Sequence, residues 1–230
     1  MNWSNYIYLG LAVFLVITVV RFLKYPAYQK EMGSLAQELG FSVHPIGTSV
    51  MPPEVLKFPY FDTVMVLNIR NLFQGKLDNT TVLLFLDWGS GDGEGYPGRP
   101  RRFVVCLFNE NWNVPEVELC SEGRIVRAIS QLGESKVDFP DHPQFSKHYW
   151  VRGEDIVAIR SLLSPTALSF LAMHPGWHIE GKAHGMLMYT DKYYWLTRAD
   201  VEFIRTSWQE ITPLCRSFQQ TVESCPTLRS

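Results

Sequence analysis

The sequence is short of fixed charge. Only 19% of its 230 residues are Asp, Glu, Lys or Arg, with 21 basic against 23 acidic side chains. No basic tract exceeds the cluster Arg99, Arg101, Arg102. Without a cationic surplus there is nothing to neutralise a phosphate backbone, which argues against nucleic acid as a partner. Cysteine is also scarce: Cys106, Cys120, Cys215 and Cys225 form no C-x-x-C pair and no metal-ligand spacing. Four scattered thiols fit a reducing compartment better than a disulfide scaffold. Catalytic signatures are missing as well. Ser146 has no G-x-S-x-G setting, and the Gly-rich stretch 89–95 lacks a following Lys-Ser/Thr and carries Asp92 and Glu94, which would repel phosphate. No cofactor is expected.

A long uncharged run stands out against this background. Residues 3–20 carry no charge, and Thr18 is the only polar side chain from Ile7 to Val20. Continuing to Leu23 gives about 18 to 20 residues, the length that a hydrocarbon core of roughly 30 Å requires. Aromatic residues border the run, with Trp3 and Tyr6 before it and Tyr25 and Tyr28 after it. Residues 1–25 therefore read as a transmembrane anchor that Pro26 ends. The flanks set its orientation: Arg21, Lys24 and Lys30 follow the span and no Lys or Arg precedes it. The positive-inside rule then puts the N-terminus outside and residues 26–230 in the cytoplasm. A cleaved signal peptide would need a basic start and a small-residue cleavage site, and neither is present.

The remainder reads as α+β, an antiparallel sheet packed with about five helices. A helix over 27–39 leads into a strand at 41–43, and strands at 63–72, 81–88 and 102–108 follow as a meander. Residues 75–79 supply one turn. The run Val82-Leu-Leu-Phe-Leu86 is apolar on both faces, as a covered central strand should be. A strand at 115–120, a helix at 121–132, strand-like 137–139 and 148–151, and helices at 153–163 and 164–173 come next. Strands at 177–180 and 186–189 precede a final helix with Val201, Ile204, Trp208 and Ile211 inward, kinked or ended at Pro213. A short echo between 35–43 and 168–179 leaves open a duplication into halves of about 26–120 and 121–230.

The stretches Asp138-Phe-Pro-Asp-His-Pro-Gln-Phe-Ser-Lys-His-Tyr149, Arg152-Gly-Glu-Asp155 and Pro175-Gly-Trp-His-Ile-Glu-Gly181 resemble a group of uncharacterised bacterial single-pass membrane-anchored proteins. The resemblance covers mainly 138–181. It implies a bacterial inner-membrane protein and no particular activity.

Three constellations are candidates for a site. Asp138, Asp141, His142 and His148 offer carboxylate and imidazole for acid/base chemistry; the alternative is a Pro-defined turn with Phe139, Phe145 and Tyr149 packed inward. His174, His178 and His184 have a superficial metal-ligand spacing, but Pro175-Gly176 breaks the helix that such a pair needs, so no metal is expected. Tyr193, Tyr194 and Trp195 form a candidate exposed aromatic patch. The function expected is an interaction or accessory module held at the membrane beside a membrane or cytoplasmic protein partner. The alternative is a membrane-tethered, hydrolase-like enzyme using the cluster at 138–148.

Overall fold

The computed structural model describes residues 3–44, 51–62, 69–87, 102–121, 137–190 and 200–229. Eight strands form one sheet: β1 (Ser42–His44), β2 (Ile69–Leu77), β3 (Thr80–Asp87), β4 (Arg102–Phe108), β5 (Val114–Ser121), β6 (Tyr149–Arg152), β7 (Trp177–Ala183) and β8 (Gly185–Thr190). Their order is β1-β2-β3-β4-β8-β7-β5-β6. Every pairing among them is antiparallel. The helices are α1 (Trp3–Leu39), α2 (Pro59–Asp62), α3 (Pro143–His148), α4 (Ile156–Leu162), α5 (Pro165–Met173) and α6 (Asp200–Ser224).

The expected α+β class and the β2–β4 meander are present. β3 has the two-sided burial that its apolar run required. Val82, Leu84 and Leu86 enter the core under the helices, while Leu83 and Phe85 enter a second cluster on the other face. α6 covers the first face with Ile204, Trp208, Ile211, Leu214, Cys215, Phe218 and Val222, a stripe at helical spacing. Each such side chain contributes about 1.5–3 kcal/mol on burial. Ser164 caps α5 by accepting from the Ala167 N–H at 3.3 Å, and Pro165 occupies its first turn, as the Ser-Pro pair predicts.

Several boundaries differ from expectation. Pro26 does not end the first helix: α1 runs unbroken from Trp3 to Leu39 with Pro26 inside it. Proline removes one N–H, yet its fixed φ is helical, and the turns beyond it are held by burial of Met32, Leu35 and Ala36. Pro213 likewise lies inside α6, which continues to Ser224. Gly75 belongs to β2, and the turn is Asp78-Asn79, with Asp78 at φ 50, a conformation that Asp and Asn tolerate. Residues 137–139 are not a strand, although the Val137 N–H donates to the Val151 carbonyl at 2.8 Å. α3 forms where an extended turn was expected, because Pro143 opens a helix as readily as it ends one. Ser121 closes β5; the helix expected after it lies outside the described residues.

Among the described residues no single helix is long and apolar enough to cross a membrane; Tyr6–Val16 is a shorter apolar stretch. α4 and α5, bent by 72°, are apolar because Ile159, Leu162, Ala167, Leu168 and Leu171 are core.

The sheet has two unlike ends. Asp87 and Arg102 are paired at one end, and Thr190, Trp177, Ser121 and Tyr149 terminate their strands there. The Asp78-Asn79 turn, Phe108, Gly185, Val114 and Arg152 mark the opposite end. α1 reaches the sheet near the Asp87 end, where Asn71 Nδ2 donates to the Tyr28 hydroxyl at 2.8 Å. It finishes farther along, where Phe41 lies over Gly75 and packs edge-on against Trp208.

Candidate interaction cleft

The face of the sheet opposite α6 is divided. Its β2–β3–β4–β8 half is covered by Met51, Val55, Phe58 and Tyr60. Its β7–β5–β6 half borders a cleft of about 610 Å³.

Two glycines are among the residues that line the cleft. β5 bulges between Val114 and Val117 and crosses Gly181, where a Cβ would meet Val117 Cγ1 at 2.7 Å and Val114 Cγ1 at 2.8 Å. Gly153 has φ 152 and turns β6 toward α4; a Cβ there would run into the Glu116 carbonyl oxygen.

The walls are charged. Glu118 stands opposite both Glu180 and Arg152 in the strand register. Like charges across a strand pair are destabilising unless each has its own partner. Arg152 Nε donates to Glu118 Oε2 at 2.7 Å, with a second bond from Nη2, and Cys120 Sγ donates to Glu118 Oε1 at 3.0 Å. Glu180 is buried and accepts the main-chain N–H of Tyr60 at 2.9 Å. Its charge reaches two strands away, since burial first and Glu180 second push the Cys106 thiol far above its usual range. On the rim, Lys182 Nζ lies 2.9 Å from Glu116 Oε1, and Asp155 caps α4 by accepting from the Ala158 N–H at 2.9 Å. Glu116, Glu118, Glu154, Asp155 and Glu180 against Arg152 and Lys182 give five negative and two positive side chains, a net of −3. Such a concavity suits a cationic group better than an anionic one.

Next to the cleft lies a buried polar cluster. The Tyr60 hydroxyl donates to Asp87 Oδ2 at 2.6 Å, and burial, then the Asp87 charge, holds the phenol far above its normal range. The Arg102 guanidinium lies 5.7 Å from the Tyr60 ring and 5.9 Å from the Tyr189 ring. Among the described residues, Asp87 Oδ1 is buried and has no hydrogen-bond partner. His178 stacks on Tyr189 at 4.9 Å, and its Nε2 lies 3.2 Å from Ser121 Oγ. The Ser121 N–H points at Nδ1, 3.4 Å away. A neutral ring that accepts at Nδ1 carries its proton on Nε2, which then donates to the hydroxyl.

The residues singled out by sequence are dispersed. Asp138 and Asp141 are exposed, His142 precedes α3 without capping it through its side chain, and His148 ends α3. None of the four lines either this cleft or the second cavity, between α5 and α6. The histidines at 174, 178 and 184 are not brought together: His174 stacks on Phe170 and lies 3.5 Å from Glu210, His178 joins Tyr189, and His184 bonds the Trp112 carbonyl at 2.8 Å. Tyr6 is exposed on α1, while the side chains of Trp3, Arg21 and Lys24 and the patch Tyr193, Tyr194, Trp195 lie outside the described residues. Sequence reasoning missed the cleft itself. Its signal was present in part, because Arg152-Gly-Glu-Asp155 and Glu180-Gly181, from two of the stretches that carried the resemblance, meet in it.

Neither protein-family models nor curated sequences give a match to this chain. Among solved structures it is similar to the crystal structure of the mycobacterial trehalose monomycolate transport factor A, TtfA, with a TM-score of 0.56 at 16% identity. The alignment covers 86% of this chain and 95% of that one, a likeness of fold.

Proposed function

We propose that this protein is a bacterial membrane-anchored accessory module, held in the inner membrane by α1 with its domain in the cytoplasm, that engages a protein partner through the acidic cleft. The observation that carries the reading is the contrast within α1. Nine large apolar side chains from Tyr6 to Val16 are 51–69% exposed, whereas Met32, Leu35 and Ala36 of the same helix are core. A contiguous apolar surface of that kind needs a cover, and the uncharged run through Val20 matches a bilayer. Arg21 and Lys24 after the run favour the cytoplasmic side, and the four free thiols fit a reducing compartment. The fold of a protein described as a transport factor supports, by analogy alone, a role beside membrane transport machinery.

The test is carbonate extraction of membranes from cells expressing the full chain, with Leu9→Asp/Val13→Asp alongside. The native chain is expected to stay in the membrane pellet and the double variant to leave it. Release of the native chain by carbonate would overturn the anchor. For the cleft, the full chain is purified from gently solubilised membranes with and without Glu118→Lys. A partner lost with Glu118→Lys supports the cleft; one retained in full refutes it.

A further inference from the structure

The anchor, if it spans a membrane as proposed above, also fixes which part of the domain lies against the lipid. α1 is one helix from Trp3 to Leu39, so the apolar stretch and the docked stretch are joined by helix, through Pro26, with no intervening loop. Its docked part is tied at several points. Tyr28 accepts from Asn71, Met32, Leu35 and Ala36 are buried, and Arg205 grips Glu38 with two bonds of 2.8 Å. These contacts run from the Asp87 end of the sheet, near Asn71, toward the Asp78 end, so the N-terminal part of α1 leaves the domain at the Asp87 end. Tyr28 is five residues beyond Leu23, about 8 Å of helix. The strands then extend about 24 Å, the seven steps between the eight residues of β3 at about 3.4 Å each.

We infer that α1 is a rigid stalk that presses the Asp87 end of the sheet, with Arg102, to the lipid headgroups and turns the Asp78 end away from them. The Asp78 end carries Val114, Arg152 and Lys182 of the cleft, which therefore opens toward the aqueous phase, where a soluble segment of a partner can reach it. A headgroup surface meets the half-buried Arg102, and a cationic segment arriving from solution meets the net negative cleft.

The experiment uses the full chain in vesicles that contain a headgroup-labelled acceptor lipid, with Cys225→Ser and one cysteine donor site per sample. Asp62→Cys and Lys147→Cys mark the Asp87 end; Asn79→Cys and Asn111→Cys mark the Asp78 end, and all four positions are exposed. Energy transfer is expected to be several-fold greater at Asp62 and Lys147 than at Asn79 and Asn111. Replacing Tyr25, Pro26 and Ala27 by glycine should abolish the difference while the protein still floats with the vesicles. Equal transfer at all four sites in the unaltered stalk, or a difference that survives the glycines, overturns the stalk but leaves the anchor standing. Failure to float with vesicles overturns both.

Discussion

The two faces of the sheet solve the burial problem differently. Under α1, α4, α5 and α6 the face is almost wholly apolar, from Val82, Leu84 and Leu86 through Phe103 and Val105 to Leu119 and Ile179. On the opposite face a smaller apolar cluster around Leu83, Phe85 and Val104 gives way across β8 and β7 to Tyr189, His178 and Glu180, and then to the cleft. The first arrangement gains its stability from area removed from water, and any tight packing would serve. The second buries charge, which costs free energy unless every atom is paired, so its residue identities are far more constrained. A fold can be kept by the helical face while binding is set by the polar one.

Substitutions can break or sharpen that contrast. The largest effect is expected on the helical face: Phe218→Ala, at a fully buried position, should cost about 3–5 kcal/mol and lower the unfolding midpoint without any specific effect on partner capture beyond loss of folded protein. A Phe218→Ala chain as stable as the native one would remove the asymmetry. Gly181→Val comes next, at about 1–3 kcal/mol, since the added carbons meet Val114 and Val117, which belong to the core under the helices. Chemical denaturation should register the loss. Tyr60→Phe removes the donor to Asp87 Oδ2 in a buried setting and should cost about 1–3 kcal/mol. If Tyr60→Phe unfolds at the native denaturant concentration, the polar cluster contributes nothing to stability and must be retained for another reason.

Arg152→Ala is expected to cost about 1–3 kcal/mol and to leave the domain folded, because Glu118 loses its charged donor opposite Glu180 while keeping roughly a fifth of its side-chain surface in water. It should nevertheless alter partner binding, measured by pull-down with the full chain. The smallest effect is one of pH. The Arg205 hydrogen bonds hold the Glu38 carboxyl below its usual range. A depressed carboxylate contributes stability above its unfolded pKa, and that contribution disappears as pH falls through the lower folded value. Trp208, which packs against Phe41 at the end of α1, should report a small fluorescence change in that acidic window and none near neutrality.

Much of the helical face was legible in the sequence, because apolar period maps directly onto burial. Val82 to Leu86, Ile204 to Ile211 and Ser164-Pro165 each carry their own instruction. Pro26 was misread as a stop, since the turns beyond it are held by the core and tolerate the one lost hydrogen bond, and Pro213 does not end α6. The cleft was not legible. Glu118 and Glu180 are 62 positions apart in the chain, and only the strand register makes them neighbours. The Asp138 and His148 segment looked chemical for the opposite reason: its polar groups are close in sequence, and proximity along a chain says little about convergence in space.

By itself the sequence determined the sheet-and-helix class, the central covered strand, the amphipathic last helix and the uncharged run of α1, all of which depend on periodicity and local backbone preference. The tertiary structure alone decided that Arg152, Glu118 and Glu180 share a cleft, that Tyr60 guards Asp87, and that α1 leaves the domain at the Asp87 end. Those facts follow from register and docking between distant segments, where burial of both partners at once selects an arrangement that no local pattern encodes.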